Sequence, residues 1–445
     1  MYKKTWIILI AILFIKIFFI SDLWAIEVKR QVLKNGLTVI HYERTSLPLV
    51  KAVLLLDVSP LDEPSKLAGL SNLTGEMLIE GTKKRTSSQI SYEIEFMGAD
   101  IGVSTSDDFT MASLFTLKKD FDHGFEILSD IVQNPIFPEK EFSRIKEILL
   151  GSLKQNEESP SYLASKAFFK EMFNDHSYGR LVTGNIDTIP NIKQNDLKLF
   201  HKNFYIPKRA TLIVVGDISF EDTIKIVERN LSNWKNNENA EPKRSDLKVT
   251  PHKKIVTIDR PLTQATIAIG ILGIKRGNPD YYKLSVMNYI LGGGGFTSRL
   301  MKTIRNDKGY AYNINSHFTS LKYGGYFNAN VQTKNELSDK VIEETYNEIK
   351  KIKEVNVTER ELSDAKAFLT GSFPLRLDTL SDIANFLALT EFYGLGMSYD
   401  KDYIGYINNV TIDDVKDVAS RYLDDNNIIL IIVGDLKKIS LDKIH

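Results

Sequence analysis

Among the residue types able to do chemistry, the chain carries an arginine and a tyrosine seven residues apart, Arg305 and Tyr312. Arginine carries a planar fork of donors and tyrosine a hydroxyl. Held side by side, the two can grip a carbonyl oxygen or the oxyanion that forms from it. The plain alternative is a surface ion pair of Arg305 with Asp307 or Glu343, and a half-buried strand position for Tyr312. Residue types alone favour that alternative. Just upstream, Gly292, Gly293, Gly294 and Gly295 allow close approach of backbone to a substrate and permit positive φ angles. A phosphate-binding loop is a poor fit, because neither G-x-G-x-x-G nor the Gly-Lys-Ser/Thr signature is present. A helix stop followed by a turn is the plainer role.

Metal and thiol chemistry find little support. The seven histidines are His41, His123, His176, His201, His252, His317 and His445, and no two lie three to five residues apart. That is the spacing by which local metal pairs form. There is no cysteine, so thiolate sites and thiol nucleophiles are excluded. Glu76 and Glu80 stand at i and i+4 in a helix-type stretch, which reads as a solvated helix face.

The elements that must position these residues come in two copies. Phe137 to Lys146 aligns with Val357 to Lys366, and Leu150-Gly151-Ser152-Leu153 with Thr370-Gly371-Ser372-Phe373, at a constant offset of 220. Pro138 and Thr358 each precede an acidic first turn, as helix starts do. Leu212 to Asp217 aligns with Leu430 to Asp435 at offset 218. Each is a short β-branched run closed by Gly-Asp, a buried strand and turn. Asn191 to Leu197 parallels Asn409 to Val415 before them.

The expected division is residues 26–235 and 252–445, joined by an exposed polar linker at 236–251. Leu37 to Ile40, Val50 to Val58 and Ala265 to Ile271 fit opening strands. Phe121 to Asn134 and Leu337 to Ile352 carry helix-period apolar residues. The fold class is α+β, two homologous domains, each a largely antiparallel sheet with helices packed on one face.

Residues 1–25 have the form of an export signal or N-terminal anchor. Lys3 and Lys4 precede an apolar run from Trp6 to Ile15, and Leu23-Trp24-Ala25 is a possible cleavage site. That run is short for a spanning helix. The expected location is periplasmic or otherwise exported, with membrane contact only through this segment if it stays uncleaved. Charges balance at 57 of each sign, so no nucleic-acid partner is expected. The 445 residues suffice for two domains of about 200 residues each.

Gly69-Leu70-Ser71-Asn72-Leu73-Thr74-Gly75-Glu76-Met77-Leu78-Ile79-Glu80-Gly81-Thr82 resembles the zinc motif of pitrilysin-like (insulinase and processing peptidase) metallopeptidases. The family stretch reads Gly-Leu-x-His-x-x-Glu-His-Met-Leu-x-x-Gly-Thr. In H-x-x-E-H, both histidines leave one helix face to meet one metal ion, and the glutamate activates the bound water. Here Asn72 and Glu76 stand at the histidine positions and Gly75 at the glutamate. The family's third ligand lies eight residues before the proline of an acidic-Ser-Pro turn. Glu158-Ser159-Pro160 places that position at Ser152. One carboxylate among these four does not hold a catalytic zinc.

Leu33 to Leu37, Gly98-Ala99, Pro135 to Phe137, His176 to Gly179 with Gly184, and Asn203 to Tyr205 extend the resemblance over nearly all of the mature chain. It implies two related halves forming half of a clam-shaped peptidase chamber. Leu291 to Tyr312 is similar to the family segment whose arginine–tyrosine pair faces the zinc site of the opposing half. Some bacterial members divide the work, one chain carrying zinc and another the pair. The resemblance therefore implies a non-catalytic, substrate-binding subunit of an exported heterodimeric zinc metallopeptidase. It would be inactive alone, with no cofactor of its own and zinc in a homologous partner. Arg305 and Tyr312 would then act on a peptide in trans. A scaffold or peptide-binding protein is the alternative, and independent activity through other ligands a third reading.

Overall fold

Two sheets of nearly the same topology account for the repeats. The computed structural model describes residues 28–237, 244, 247–250 and 252–440. The expected leader and much of the expected linker lie outside these. Eleven strands run in chain order: β1 (Lys29–Val32), β2 (Thr38–Glu43), β3 (Leu49–Leu56), β4 (Asp100–Thr105), β5 (Thr110–Leu117), β6 (Ala210–Gly216), β7 (Lys254–Asp259), β8 (Gln264–Leu272), β9 (Ala311–Ser320), β10 (Gly325–Lys334) and β11 (Ile429–Gly434). The first sheet has the order β1-β2-β6-β3-β5-β4 and the second β7-β11-β8-β10-β9. In each, one parallel pair, β2 with β6 or β7 with β11, joins an early strand of the half to its closing strand. Every other pairing is antiparallel.

The α-helices are α1 (Leu70–Glu76), α2 (Ser87–Phe96), α3 (Phe121–Gln133), α4 (Glu139–Asn156), α5 (Pro160–Phe173), α6 (Gln194–Phe204), α7 (Phe220–Leu231), α8 (Tyr281–Asn288), α9 (Ser338–Glu354), α10 (Glu359–Gly371), α11 (Leu380–Phe392), α12 (Tyr399–Asn408) and α13 (Ile412–Tyr422). Gly151 and Gly371 fall on the equivalent helices α4 and α10, and Gly216 and Gly434 close the equivalent strands β6 and β11. Pro138 sits at the N-cap of α4. Thr358 caps α10 through a reciprocal box with Glu361, a device whose loss costs about 1 kcal/mol.

Alternation along the strands sends residues to two cores. Val50, Ala52, Leu54 and Leu56 of β3 pack with Phe125, Leu128 and Val132 of α3. Val53 and Leu55, facing the other way, pack against Ile383, Ala384, Leu387 and Ala388 of α11, a helix of the second half. The reciprocal contact sets Leu163, Ala164 and Phe168 of α5 on Ala268, Ile429, Ile431 and Val433 of the second sheet. Gly270 makes this close approach possible, since a Cβ there would lie 2.0 Å from the Phe168 ring. The expected fold class holds. Beyond it, each half lends one helix to the bare face of the other's sheet, so neither sheet is covered on both sides by its own half.

The polar stretch after Asn236 departs from an exposed linker. Arg244 is buried, with its fork on Asp62 at 3.0 and 2.6 Å and a second ion pair to Asp57. Leu247 packs close over Gly324. A polar composition hid these anchors because the arginine finds its carboxylates elsewhere in the chain, more than 180 residues earlier.

Candidate functional site

Helix α1 carries the altered zinc frame, and the side chains at its ligand positions, Asn72 and Glu76, bond each other. Gly69 takes a φ of +97° to start the helix. Glu63 accepts hydrogen bonds from the backbone N–H groups of Gly69 (3.0 Å) and Ser71 (2.8 Å) at that N-terminus. Burial raises the Glu63 carboxyl to about 7, and these two donors offset the rise only in part. Asn72 is buried, and its amide donates to Glu76 at 2.8 Å. Burial likewise raises Glu76, with the Asn72 hydrogen bond opposing it.

Gly75 lies against β4, where a Cβ would sit 2.8 Å from Thr105 Oγ1. That hydroxyl is itself 3.1 Å from Thr110 Oγ1. Ser152 is exposed on α4. A zinc ion does not fit this set. It offers one carboxylate bound to an amide, a glycine with no room for a longer side chain, and an exposed hydroxyl on another helix. Among the described residues, no three His, Cys, Asp or Glu side chains gather as a metal group.

The histidines are spent singly. His41 lies 2.9 Å from Ile218 O and His201 2.7 Å from Val132 O, where burial depresses His201 to about 4. Glu80 corrects the reading of a solvated face. It is buried, accepting from Arg144 Nη2 at 2.8 Å and Ser87 Oγ at 3.0 Å, because α4 and α2 close over it.

The second half presents the opposite arrangement. α8 runs on into a π-helical turn, Tyr289–Gly293, and a second π-helical segment, Met301–Asp307, carries Arg305. Such wide turns recur at functional sites. The Arg305 guanidinium stacks between two rings, 4.6 Å from the Phe296 centroid and 4.7 Å from that of Tyr312. Phe296 is 65% and Tyr312 82% exposed. Among the described residues, Arg305 makes no ion pair, with Asp307, Glu343 or any other carboxylate. The structure thus brings Arg305 and Tyr312 together and leaves the donor fork open. Phe296 was the residue overlooked. Its place beside four glycines and nine residues before Arg305 was the available signal.

The four glycines do different work. Gly292 is buried, with Ser316 Oγ 2.3 Å from where its Cβ would be, so it admits strand β9 rather than facing solvent. Gly293 and Gly294 crowd Asn288 and Tyr289, and Gly295 turns the chain at a φ of +57°. The loop is fastened by Arg299, whose fork meets Glu361 of α10 at 2.6 and 2.9 Å. Burial opposes ionisation of Glu361, but this fork and the Thr358 backbone N–H hold its carboxyl down to about 2.

Residues 39–185 match the family model described as insulinase (peptidase family M16), and residues 191–369 match the one described as peptidase M16 inactive domain. A Helicobacter pylori protein described as the non-peptidase homolog YmxG is 27% identical over 371 residues, covering 83% of this chain and 85% of that protein. A Bacillus subtilis protein described as the uncharacterized zinc protease YmxG is 25% identical, covering 79% and 85%. The crystal structure of a peptidase M16 inactive domain from Pseudomonas fluorescens superposes with a TM-score of 0.87 at 28% identity, over 92% of this chain and 98% of that one. A protease from Helicobacter pylori, at 20% identity and a TM-score of 0.86, shares the fold.

Proposed function

This chain belongs to the insulinase (M16) peptidase family as an inactive homologue, and from that premise we propose that it is the substrate-binding subunit of an exported heterodimeric peptidase. The zinc would belong to a homologous partner chain. The observation that carries the reading is the Arg305 guanidinium, stacked between two exposed rings with no carboxylate of its own. Stacking fixes the plane of the fork and leaves its N–H edges for a ligand. A peptide carbonyl is a fitting acceptor. As charge develops on its oxygen, Arg305 and the Tyr312 hydroxyl strengthen their hold, which is how preorganised donors speed acyl chemistry. The glycine loop, clamped by Arg299 to Glu361, keeps Phe296 and hence Arg305 in place.

The test is reconstitution with a zinc-bearing homologous subunit. Arg305→Ala and Tyr312→Phe should leave the complex assembled, as judged by size, while peptide turnover falls ~100- to 1000-fold, mainly in kcat. Unchanged turnover in both variants would favour a scaffold role instead.

A further inference from the structure

On the face of the first sheet that α11 covers, β3 carries a lysine where its neighbours carry valine and leucine. Lys51 stands between Val50 and Ala52, and its face partners along the strand are Val53 and Leu55. The residue is 8% exposed. It makes no hydrogen bond and no ion pair with any described residue. Its side chain lines a cavity of about 480 Å³ between the sheet and α11. Val53, Phe109, Met111 and Leu389 supply apolar wall to that cavity. Ser113 and Asn385 supply polar groups, and neither side chain is hydrogen-bonded among the described residues.

A buried ammonium with no partner is costly, and folded proteins pair such groups or do without them. Here a shaped space lies at the end of the unpaired charge. We propose that this cavity binds a carboxylate carried on an apolar body, with Lys51 as its counter-ion and Ser113 and Asn385 as flanking hydrogen-bond partners. One lysine between apolar walls matches a single negative charge. A phosphate dianion would bring a second charge that one lysine does not compensate.

Burial holds the Lys51 ammonium below the usual lysine value. Asp100, the carboxylate whose field reaches it, offsets this only in part and forms no ion pair with it. A bound carboxylate would remove that penalty. The idea that the carboxylate is a peptide's rests on the function proposed above. It would come either from a free chain end or from an acidic side chain.

Calorimetric titration of the purified chain tests the site. The probes are hexanoate, hexanamide, an apolar hexapeptide with a free C-terminus, the same peptide amidated, and the amidated peptide with one internal glutamate. Lys51→Met keeps an unbranched side chain one atom shorter and removes the charge, and Lys51→Gln is the second variant should the first fail to fold. The expected result is that hexanoate binds and hexanamide does not, with affinity falling about 10- to 100-fold in either variant. Loss of binding on amidation identifies the chain end, and retention by the glutamate peptide identifies the side chain. Hexanoate binding without peptide binding would keep the site and remove the peptide reading. Equal affinity in wild type and Lys51→Met, or no binding of any carboxylate, would overturn the inference. Peptide binding lost in Arg305→Ala but not in Lys51→Met would overturn the peptide reading of this cavity, leaving the Arg305 reading intact.

Discussion

Helix α1 and the Phe296–Arg305–Tyr312 cluster differ in where their polar groups point. In α1 the positions of the zinc frame are buried or half-buried and turned to internal contacts. Asn72 bonds Glu76, Gly75 presses on Thr105, and Glu63 holds the helix start. In the second half, two exposed rings flank a half-buried cation that has no carboxylate partner among the described residues. A folded protein satisfies its charges internally when nothing outside requires them. On the function proposed above, an arginine without a carboxylate between two exposed rings is what a retained site would look like, and an internally bonded helix what an abandoned one would.

The sharpest way to break this contrast is to substitute both sides and read activity and stability together. Arg305→Ala should remove most turnover of the mixed complex, as stated above, yet shift unfolding free energy by no more than about 0.5 kcal/mol, the usual range for surface changes. Gly75→Glu should do the reverse. The added side chain meets Thr105, so chemical denaturation should show a loss of about 1–3 kcal/mol, with no gain of peptidase activity. A Gly75→Glu protein of full stability would mean that α1 is less tightly packed than described.

The third expectation concerns pH. Glu63 has its folded-state value raised from 4.5 to about 7. The folded state therefore holds this proton more tightly than the unfolded chain. Its contribution is fully present below about 4.5 and is lost as pH rises through about 7. Glu63→Gln should flatten that part of the stability–pH curve, measured as denaturation midpoints from pH 4 to 8. The smallest effect belongs to Asn72→Ala. Only its bond to Glu76 is lost, a change of about 0.5–1.5 kcal/mol, and turnover of the mixed complex should hold.

Much of this was legible in residue order. The repeats at offsets 220 and 218 located equivalent helices and strands, because helix starts and buried strand ends leave local marks such as Thr358-Glu-x-Glu361 and Val-Gly-Asp. Asn72, Gly75, Glu76 and Ser152, aligned on the family motif, led to the expectation of no zinc in this chain. The exchange of α5 and α11 between halves was not legible. An apolar helix face such as Ile383, Leu387 and Ala388 states that it is buried but not against which sheet. The same limit hid Arg244 on Asp57 and Asp62, and Glu80 beneath Arg144. Phe296 was passed over because a ring in a glycine loop has no chemistry until its distance to Arg305 is known.

The central claim is that this chain brings substrate contacts and no zinc of its own. Metal analysis of the purified chain, with peptide cleavage measured before and after adding a zinc-bearing homologous subunit, tests it most directly. The account predicts no stoichiometric zinc and no cleavage by the chain alone, with cleavage arising only in the mixed complex. One tightly bound zinc per chain, together with chelator-sensitive cleavage by the chain alone, would contradict it.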